Sequence, residues 1–266
     1  MALFFRDDAS YNEGVRLSGF DRYRQLMSFY AARWIKVNLL TVLGALPLAF
    51  GIMQAILNSS LLVLLPVSIV GGMIFGPFLA AMYDSIMRGL RDAPGTWREH
   101  YRRSWKQNLK GSLFSGAVLG FMIGIFAFML YILWSAQTSP DGWTVALYLL
   151  SAALLLLLNT LYWPQLVLFR QTTVNRLKNA ALFTIKHFKR VVLSVVLQLV
   201  YLLIYVLFAP WTLLLIPLVG FWYILFVSQL LIYDDLDMEL NIEEQFAALE
   251  GDPWRGAGDH GGDGQA

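Results

Sequence analysis

The sequence contains no cysteine, and only 14% of its 266 residues are charged. The absence of cysteine excludes disulfides, thiolate metal sites and cysteine nucleophiles. The shortage of charge places the chain outside the range of soluble globular domains, in which about 25% of residues are charged. Motifs of common enzymes are also missing, since no Walker, HExxH or GxSxG pattern occurs. The sequence therefore predicts no enzymatic activity, no cofactor and no metal site.

Six strongly apolar runs fill most of the chain, of which 58% is hydrophobic. Each run has about the length that a helix needs to cross a hydrocarbon core of about 30 Å. We therefore predict an all-α polytopic membrane protein with six transmembrane helices. The runs cover about 37–57, 61–83, 112–136, 143–169, 191–209 and 211–233.

The 20 lysines and arginines fall within residues 1–36, 88–110 and 170–190, apart from Arg255 in the tail. The connectors on the other side carry none and are too short for a receptor domain. By the positive-inside rule, basic connectors stay in the cytoplasm. The pattern predicts a multi-pass membrane protein with both termini cytoplasmic.

The chain divides into three parts on the same grounds. Residues 1–36 form a cytoplasmic N-terminal segment with an interfacial amphipathic helix at about 18–34, and residues 37–233 form the membrane domain. Residues 234–266 form an acidic cytoplasmic tail, in which we expect Asn241 to cap a short helix and residues 251–266 to be disordered. The acids of this tail either neutralise the basic connectors or bind a basic partner.

The connector at 84–111 contains a second predicted interfacial helix at about 96–110. Thr96 and Glu99 have capping-box spacing, and Trp97, Tyr101 and Trp105 recur on one face. The third connector carries an apolar stripe made of Val174, Leu177, Ala181, Ile185 and Phe188. We expect these helices to contact anionic lipid headgroups or a protein partner, or simply to pack under the bundle. The candidate surface comprises Trp97, Arg98, Tyr101, Arg102, Arg103, Trp105, Lys106, Lys110, Arg176, Lys178, Lys186, Lys189 and Arg190.

Small and polar residues inside the runs indicate how the helices pack. Gly72 and Gly76 in the second run, and Gly116, Gly120 and Gly124 in the third, have the spacing of close helix contacts. They predict packing of these two helices, or homodimerisation through the third. Asp84 and Arg88 lie one turn apart and form a candidate ion pair. The buried polar candidates are Gln54, Asn159, Gln165, Gln198, Ser228 and Gln229.

The second run ends in Gly76-Pro77-Phe78-Leu79-Ala80-Ala81-Met82-Tyr83, and the connector after it contains Trp105-Lys106-Gln107-Asn108-Leu109-Lys110. These segments resemble the YesL / DUF624 family of bacterial membrane proteins of unassigned function. The resemblance extends over about residues 18–235, with its specific part at 76–116. Family members are often encoded beside carbohydrate ABC importers, which implies a role in sugar uptake or its control.

The leading hypothesis is a non-enzymatic accessory or scaffold protein whose basic, aromatic connectors contact a sugar ABC transporter or its regulators. One alternative is a small-solute transporter or channel, although the runs lack the intramembrane ionisable residues that ion-coupled transporters use. A further alternative is an organiser of anionic lipid. Nucleic acid is not an expected partner, because proximity to a membrane explains the basic and aromatic residues more simply.

Overall fold

The computed structural model describes residues 16–136 and 139–250, and this part of the chain is all α-helical apart from one 3₁₀ turn. Six segments are long and apolar enough to cross a membrane, which confirms the predicted polytopic fold. The helices are α1 (Gly19–Leu57), α2 (Leu61–Leu90), α3 (Trp97–Ser135), α4 (Gly142–Leu168), α5 (Thr173–Lys186), α6 (Phe188–Leu207), α7 (Ile216–Leu240) and α8 (Ile242–Glu250), with the 3₁₀ turn at Trp211–Leu215.

Helices α1 and α3 are far longer than a membrane is thick. Each has 39 residues, which corresponds to about 58 Å of helix, roughly twice the apolar core of a bilayer. The segments predicted as interfacial helices, 18–34 and 96–110, are therefore the ends of the first and third spans. They continue each span without a break and project from the basic side of the bundle.

Side chains cap several helix starts, among them Ser60 before α2, Asp141 before α4 and Thr172 before α5. Thr96 and Glu99 form the predicted capping box at the start of α3. Ser18 precedes α1 but makes no capping bond with its side chain. Asn241 does not cap α8, because its φ of 46° makes it the left-handed residue that ends α7; Asp237 accepts from the Glu243 amide instead, at 2.8 Å. The predicted disordered residues 251–266 lie outside the described residues.

Helices α2 and α3 meet backbone to backbone along their glycines. A Cβ atom added to Gly72 would lie 2.7 Å from Gly120 Cα, and one added to Gly76 would lie 2.9 Å from Gly116 Cα. One turn further along α3, a Cβ on Gly124 would lie 2.6 Å from Ser68 Cβ. Since no side chain separates the two helices here, dispersion contacts form along the whole glycine row, as in other membrane helix pairs.

The other face of α2 packs equally closely against α1. A Cβ atom on Gly71 would lie 2.6 Å from Leu48 Cα, and one on Gly44 would lie 2.9 Å from Phe78 Cβ. Helix α2 is thus held between α1 and α3 by small residues on two of its faces. Three prolines also lie within these two helices; the first two are exposed and the third is buried. They are Pro47, Pro66 and Pro77.

Asn38 joins α1 to the start of α7. Its Nδ2 donates to the carbonyls of Ile216 and Pro217 at 2.9 and 2.8 Å, and its Oδ1 accepts from the amides of Phe221 and Trp222 at 2.9 and 3.3 Å. A regular helix pairs the amide of Phe221 with the carbonyl of Pro217. The fully buried Asn38 side chain bonds to both groups, so it ties the first span to the last within the membrane.

Substitution of Gly116 by alanine tests the glycine contact. The added Cβ would lie 2.7 Å from Gly76 Cα, and overpacking of this kind costs about 1–3 kcal/mol. We expect a lower midpoint of thermal unfolding, measured by tryptophan fluorescence of the protein in mild detergent. Gly111→Ala on the same helix is the matched control, because nothing lies within 4 Å of its added Cβ. Equal midpoints for the two variants would contradict the close contact.

Candidate functional site

The basic residues of the described chain gather at one end of the bundle. The exposed cations of α3 lie on the part of the helix that projects beyond the third apolar run. They are defined here as the α3 basic patch: Arg98, Arg102, Arg103, Lys106 and Lys110. Within the described residues, none of the five has a carboxylate within 4 Å. Among the described residues, the positive charge of the patch is therefore not compensated.

The aromatic residues of the same segment point the other way. Trp97, Tyr101 and Trp105 are half-buried. The ring of Trp105 meets Phe78 of α2 edge to face at 5.0 Å, and Trp97 packs beneath Lys36 of α1 at 5.8 Å. These three candidate surface residues thus anchor α3 against α1 and α2, while the basic residues remain outside. This matches the alternative in which the aromatic stripe packs under the bundle.

The connector that contains α5 shows the opposite arrangement. Its predicted apolar stripe is exposed, with Ile185 and Phe188 at 77% and 60% exposure. Ala180 and Phe183 face inward in its place. An exposed apolar stripe bordered by lysines is typical of a helix lying in a membrane interface. Among the predicted surface residues of this connector, Arg176 is buried, whereas the others are exposed: Lys178, Lys186, Lys189 and Arg190.

Acids of α7 neutralise part of the connector that contains α5. Arg190 contacts Asp235 at 2.8 Å, and Lys186 contacts Glu239 at 2.5 Å. His187, between α5 and α6, lies 3.2 Å from each of these carboxylates. These contacts match the first of the two alternatives for the acidic tail, in which its acids neutralise the basic connectors. The second basic connector is partly compensated, in contrast with the α3 basic patch.

The pKa of Glu239, which lies beyond the last apolar run, is lowered by its hydrogen bonds to Lys186 and then to His187. A carboxyl whose pKa falls on folding stabilises the fold when ionised. Its contribution is therefore present at neutral pH. It is lost only as the pH falls below the ordinary value of 4.5 and through the lowered pKa.

Two ion pairs lie where α1 and α2 leave the membrane. Arg88 donates from Nε to Asp84 at 2.8 Å, one turn apart on α2. Arg22 of α1 contacts Asp92 at 2.6 Å and also donates to the Leu90 carbonyl at 2.9 Å. Tyr30 donates to the second carboxylate oxygen of Asp92 at 3.0 Å. The Asp92 cluster was not singled out from the sequence, because its partners are 62 and 70 residues away.

His100, on the projecting part of α3, lies near the ion pair of Arg88 and Asp84. Its Nε2 is 2.9 Å from the Pro94 carbonyl. Burial lowers the pKa of His100, and repulsion from Arg88 lowers it further. The imidazole is therefore neutral at pH 7 and donates to that carbonyl. Within the described residues, no group of three acidic, histidine or cysteine side chains is arranged to hold a metal ion.

Buried amides connect the helices in the second half of the chain. Gln198 of α6 donates to the Thr160 hydroxyl at 2.7 Å, and Gln229 of α7 donates to the Thr160 carbonyl at 2.9 Å. The bonds of Gln198 and Gln229 are interhelical, and bonds of this kind hold membrane helices together. Gln165, in contrast, donates to the Leu161 carbonyl of its own helix, α4, at 3.0 Å. Of the predicted buried polar residues, Gln54 is exposed, so that prediction was wrong.

Two crevices in the described part of the chain lie between helices close to the basic end of the bundle. A crevice of about 240 Å³ lies between α3 and α4, and one of about 170 Å³ lies between α4, α5 and α7. Exposed apolar residues such as Phe114 and Val118 line the first. Gln165, Lys186 and Glu239 line the second.

Removal of the Asp92 charge tests whether it holds α1 against α2. Asp92→Asn suits the site, because residue 92 has a φ of 54° and asparagine tolerates the left-handed region. The buried Arg22 guanidinium would lose its counter-charge, and we expect unfolding in detergent to become easier by about 1–3 kcal/mol. Asp234→Asn removes one charge from an exposed residue and should change stability by less than about 0.5 kcal/mol. Equal effects would exclude a special role for Asp92.

No family model, curated protein or solved structure matches this chain. The resemblance of residues 76–116 to a bacterial family stays a prediction from the sequence.

Proposed function

We propose that this protein is a non-enzymatic membrane accessory protein that docks a partner through the α3 basic patch. The observation that carries the proposal is the contrast between the two basic connectors. Acids of α7 compensate the connector that contains α5, whereas the five cations of α3 have no such partner among the described residues. Exposed charge of one sign on a rigid support steers the approach of an oppositely charged partner.

Helix α3, which carries the α3 basic patch, is held rigidly because it packs against other helices both within the membrane and beyond it. Within the membrane, its glycines lie against those of α2. Beyond the membrane, Trp97 and Trp105 pack against α1 and α2. Because the helix backbone that carries these side chains is already ordered, binding does not have to order it, which favours specific docking.

The partner class that we propose is a carbohydrate ABC importer or one of its regulators, presenting an acidic surface. This choice follows from the family resemblance of residues 76–116. The alternatives of a small-solute transporter and of a lipid organiser stay predictions from the sequence. A lipid organiser would use all exposed cations of the basic side alike, which separates it experimentally from docking at one patch.

The proposed orientation places the basic side in the cytoplasm of a bacterial cell, with both termini there. It follows from the positive-inside rule, since the opposite connectors lack lysine and arginine. A reporter active only outside the cytoplasm, fused after Asp141, should be active. The same reporter fused after Glu250 should be inactive. The reverse result would contradict the orientation and with it a cytoplasmic partner.

Charge reversal tests the docking surface. We expect the triple variant Arg102→Glu, Arg103→Glu, Lys106→Glu to reduce recovery of importer subunits at least about tenfold in affinity capture from gently solubilised membranes. This lower limit lies below the roughly hundredfold loss that corresponds to about 1 kcal/mol for each of three cations near an acidic surface. Thermal unfolding should hardly change, because the three side chains are exposed.

The matched control reverses three exposed cations of the other connector. It is the variant Arg170→Glu, Lys178→Glu, Lys189→Glu, which alters the net charge equally. This control should retain the partner. Equal loss in both triple variants would favour the lipid alternative, and recovery of no importer subunit by the unaltered protein would overturn the proposed partner.

A further inference from the structure

Arg176 is a buried cation without an acidic partner in the part of the chain that the structure describes. Its side chain belongs to the first turns of α5, and the residue is only 9% exposed. Within residues 16–136 and 139–250, no carboxylate lies within 4 Å of its guanidinium, and its buried Nε has no hydrogen-bond partner. Arg22, buried to a similar degree, is paired with Asp92. Buried charges in proteins are normally paired, so Arg176 indicates a missing anion.

Arg176 contacts Tyr162, a residue that lines the crevice between α3 and α4. Its Nη1 lies 3.5 Å from the hydroxyl oxygen of Tyr162, and its guanidinium lies 5.7 Å from the centre of that ring. Ser115 donates to the Gly111 carbonyl at 2.9 Å, which leaves the Tyr162 hydroxyl to donate to Ser115 at 2.7 Å. Tyr162 and Ser115 both line the crevice. One polar node therefore connects α3, α4 and α5 at its basic end.

The crevice becomes apolar with depth. Its wall on α3 extends from Phe114 to Met122, which is about 12 Å along the helix. This length fits within one leaflet, whose apolar half is about 15 Å thick. Val118 and Leu158 lie at intermediate depth and are 45% and 36% exposed, so the crevice is open to the surrounding lipid.

The basic end of the crevice also meets the start of α5. Thr173, the first residue of α5, lines it. The first turn of a helix presents amide groups and a partial positive charge that favour phosphate groups. The Arg176 guanidinium lies behind the lining residue Tyr162 and adds a full charge one turn from Thr173. Polar groups suited to an anion thus lie at the membrane surface, above an apolar slot that runs into the leaflet.

We propose that this crevice binds one anionic glycerophospholipid, with its phosphate at Arg176 and the start of α5 and one acyl chain between α3 and α4. The occupant is a membrane lipid because the slot opens sideways into the bilayer and its polarity changes with depth as that of a lipid does. The site goes beyond the docking function proposed above and does not depend on a protein partner. Its effect is to fill the gap between the α2–α3 pair and the second half of the bundle.

Native mass spectrometry of the delipidated protein in detergent tests the site. We expect saturable binding of one phosphatidylglycerol, and weaker binding of phosphatidylcholine, because its choline carries a positive charge. Inorganic phosphate at millimolar concentration should not displace the lipid, since it lacks the acyl chain. Displacement by phosphate would show a simple anion site and overturn the proposal, as would equal retention of the two lipids.

Two substitutions on α5 separate the buried cation from general surface charge. Arg176→Gln should weaken phosphatidylglycerol binding at least about tenfold, because charged hydrogen bonds to the phosphate are lost. Arg176→Lys should retain most of the binding. Lys178→Gln removes the same charge from an exposed residue of the same helix and should leave binding unchanged. Equal lipid binding by Arg176→Gln and the unaltered protein would overturn the proposal.

A second pair of substitutions tests the acyl-chain slot. Leu158→Trp fills the crevice and should weaken lipid binding even though Arg176 is present. Leu150→Trp lies two turns away, is 56% exposed and does not line the crevice, so it should bind as the unaltered protein does. Both residues are exposed, so neither change is expected to prevent folding, and a normal gel-filtration profile would establish this. Unchanged binding by Leu158→Trp would place the lipid elsewhere.

Discussion

The close backbone contacts of α2 with α1 and α3 organise the rest of the structure. Gly71 brings α2 against Leu48 of α1, and Gly72 and Gly76 bring it against Gly116 and Gly120 of α3. Lipid supplies no hydrophobic drive between helices, so close packing is the main source of their attraction. Because α1 and α3 are both held to α2, their long extensions emerge side by side. Trp97 and Tyr101 of α3 can then pack beside the buried aromatic residues of α1.

Hydrogen bonds from side chains complete the bundle where small residues do not reach. Asn38 satisfies four backbone groups at the start of α7, and Thr160 accepts from amides of both α6 and α7. In an apolar solvent each unsatisfied backbone group costs several kcal/mol. These polar side chains therefore bind helices together. The second half of the bundle depends on such bonds, whereas the first half depends on glycine contacts.

The basic side of the protein has two surfaces that differ in how their positive charge is compensated. On α5 and α6, acids of α7 compensate Lys186 and Arg190, and an apolar stripe remains exposed beside them. On α3, the aromatic residues face inward and the cations remain free of acidic partners among the described residues. The first surface suits the membrane interface and the second suits an acidic macromolecule. The proposed lipid site lies beneath the first, at the start of α5.

The sequence by itself determined the six spans and their common basic side, because a bilayer imposes a length and a charge rule that act on local composition. It also located the capping box at Thr96, which needs only residues three apart. The direction of each amphipathic face was decided by the tertiary structure. Trp97 and Tyr101 face inward because α1 passes beside them, while Ile185 and Phe188 face outward because Phe183 takes the inner position. Pairing depends on distant segments in the same way: Arg22 finds Asp92 and Arg176 finds no carboxylate among the described residues. A periodic pattern shows that a helix has two faces, but only its neighbours decide which face is covered.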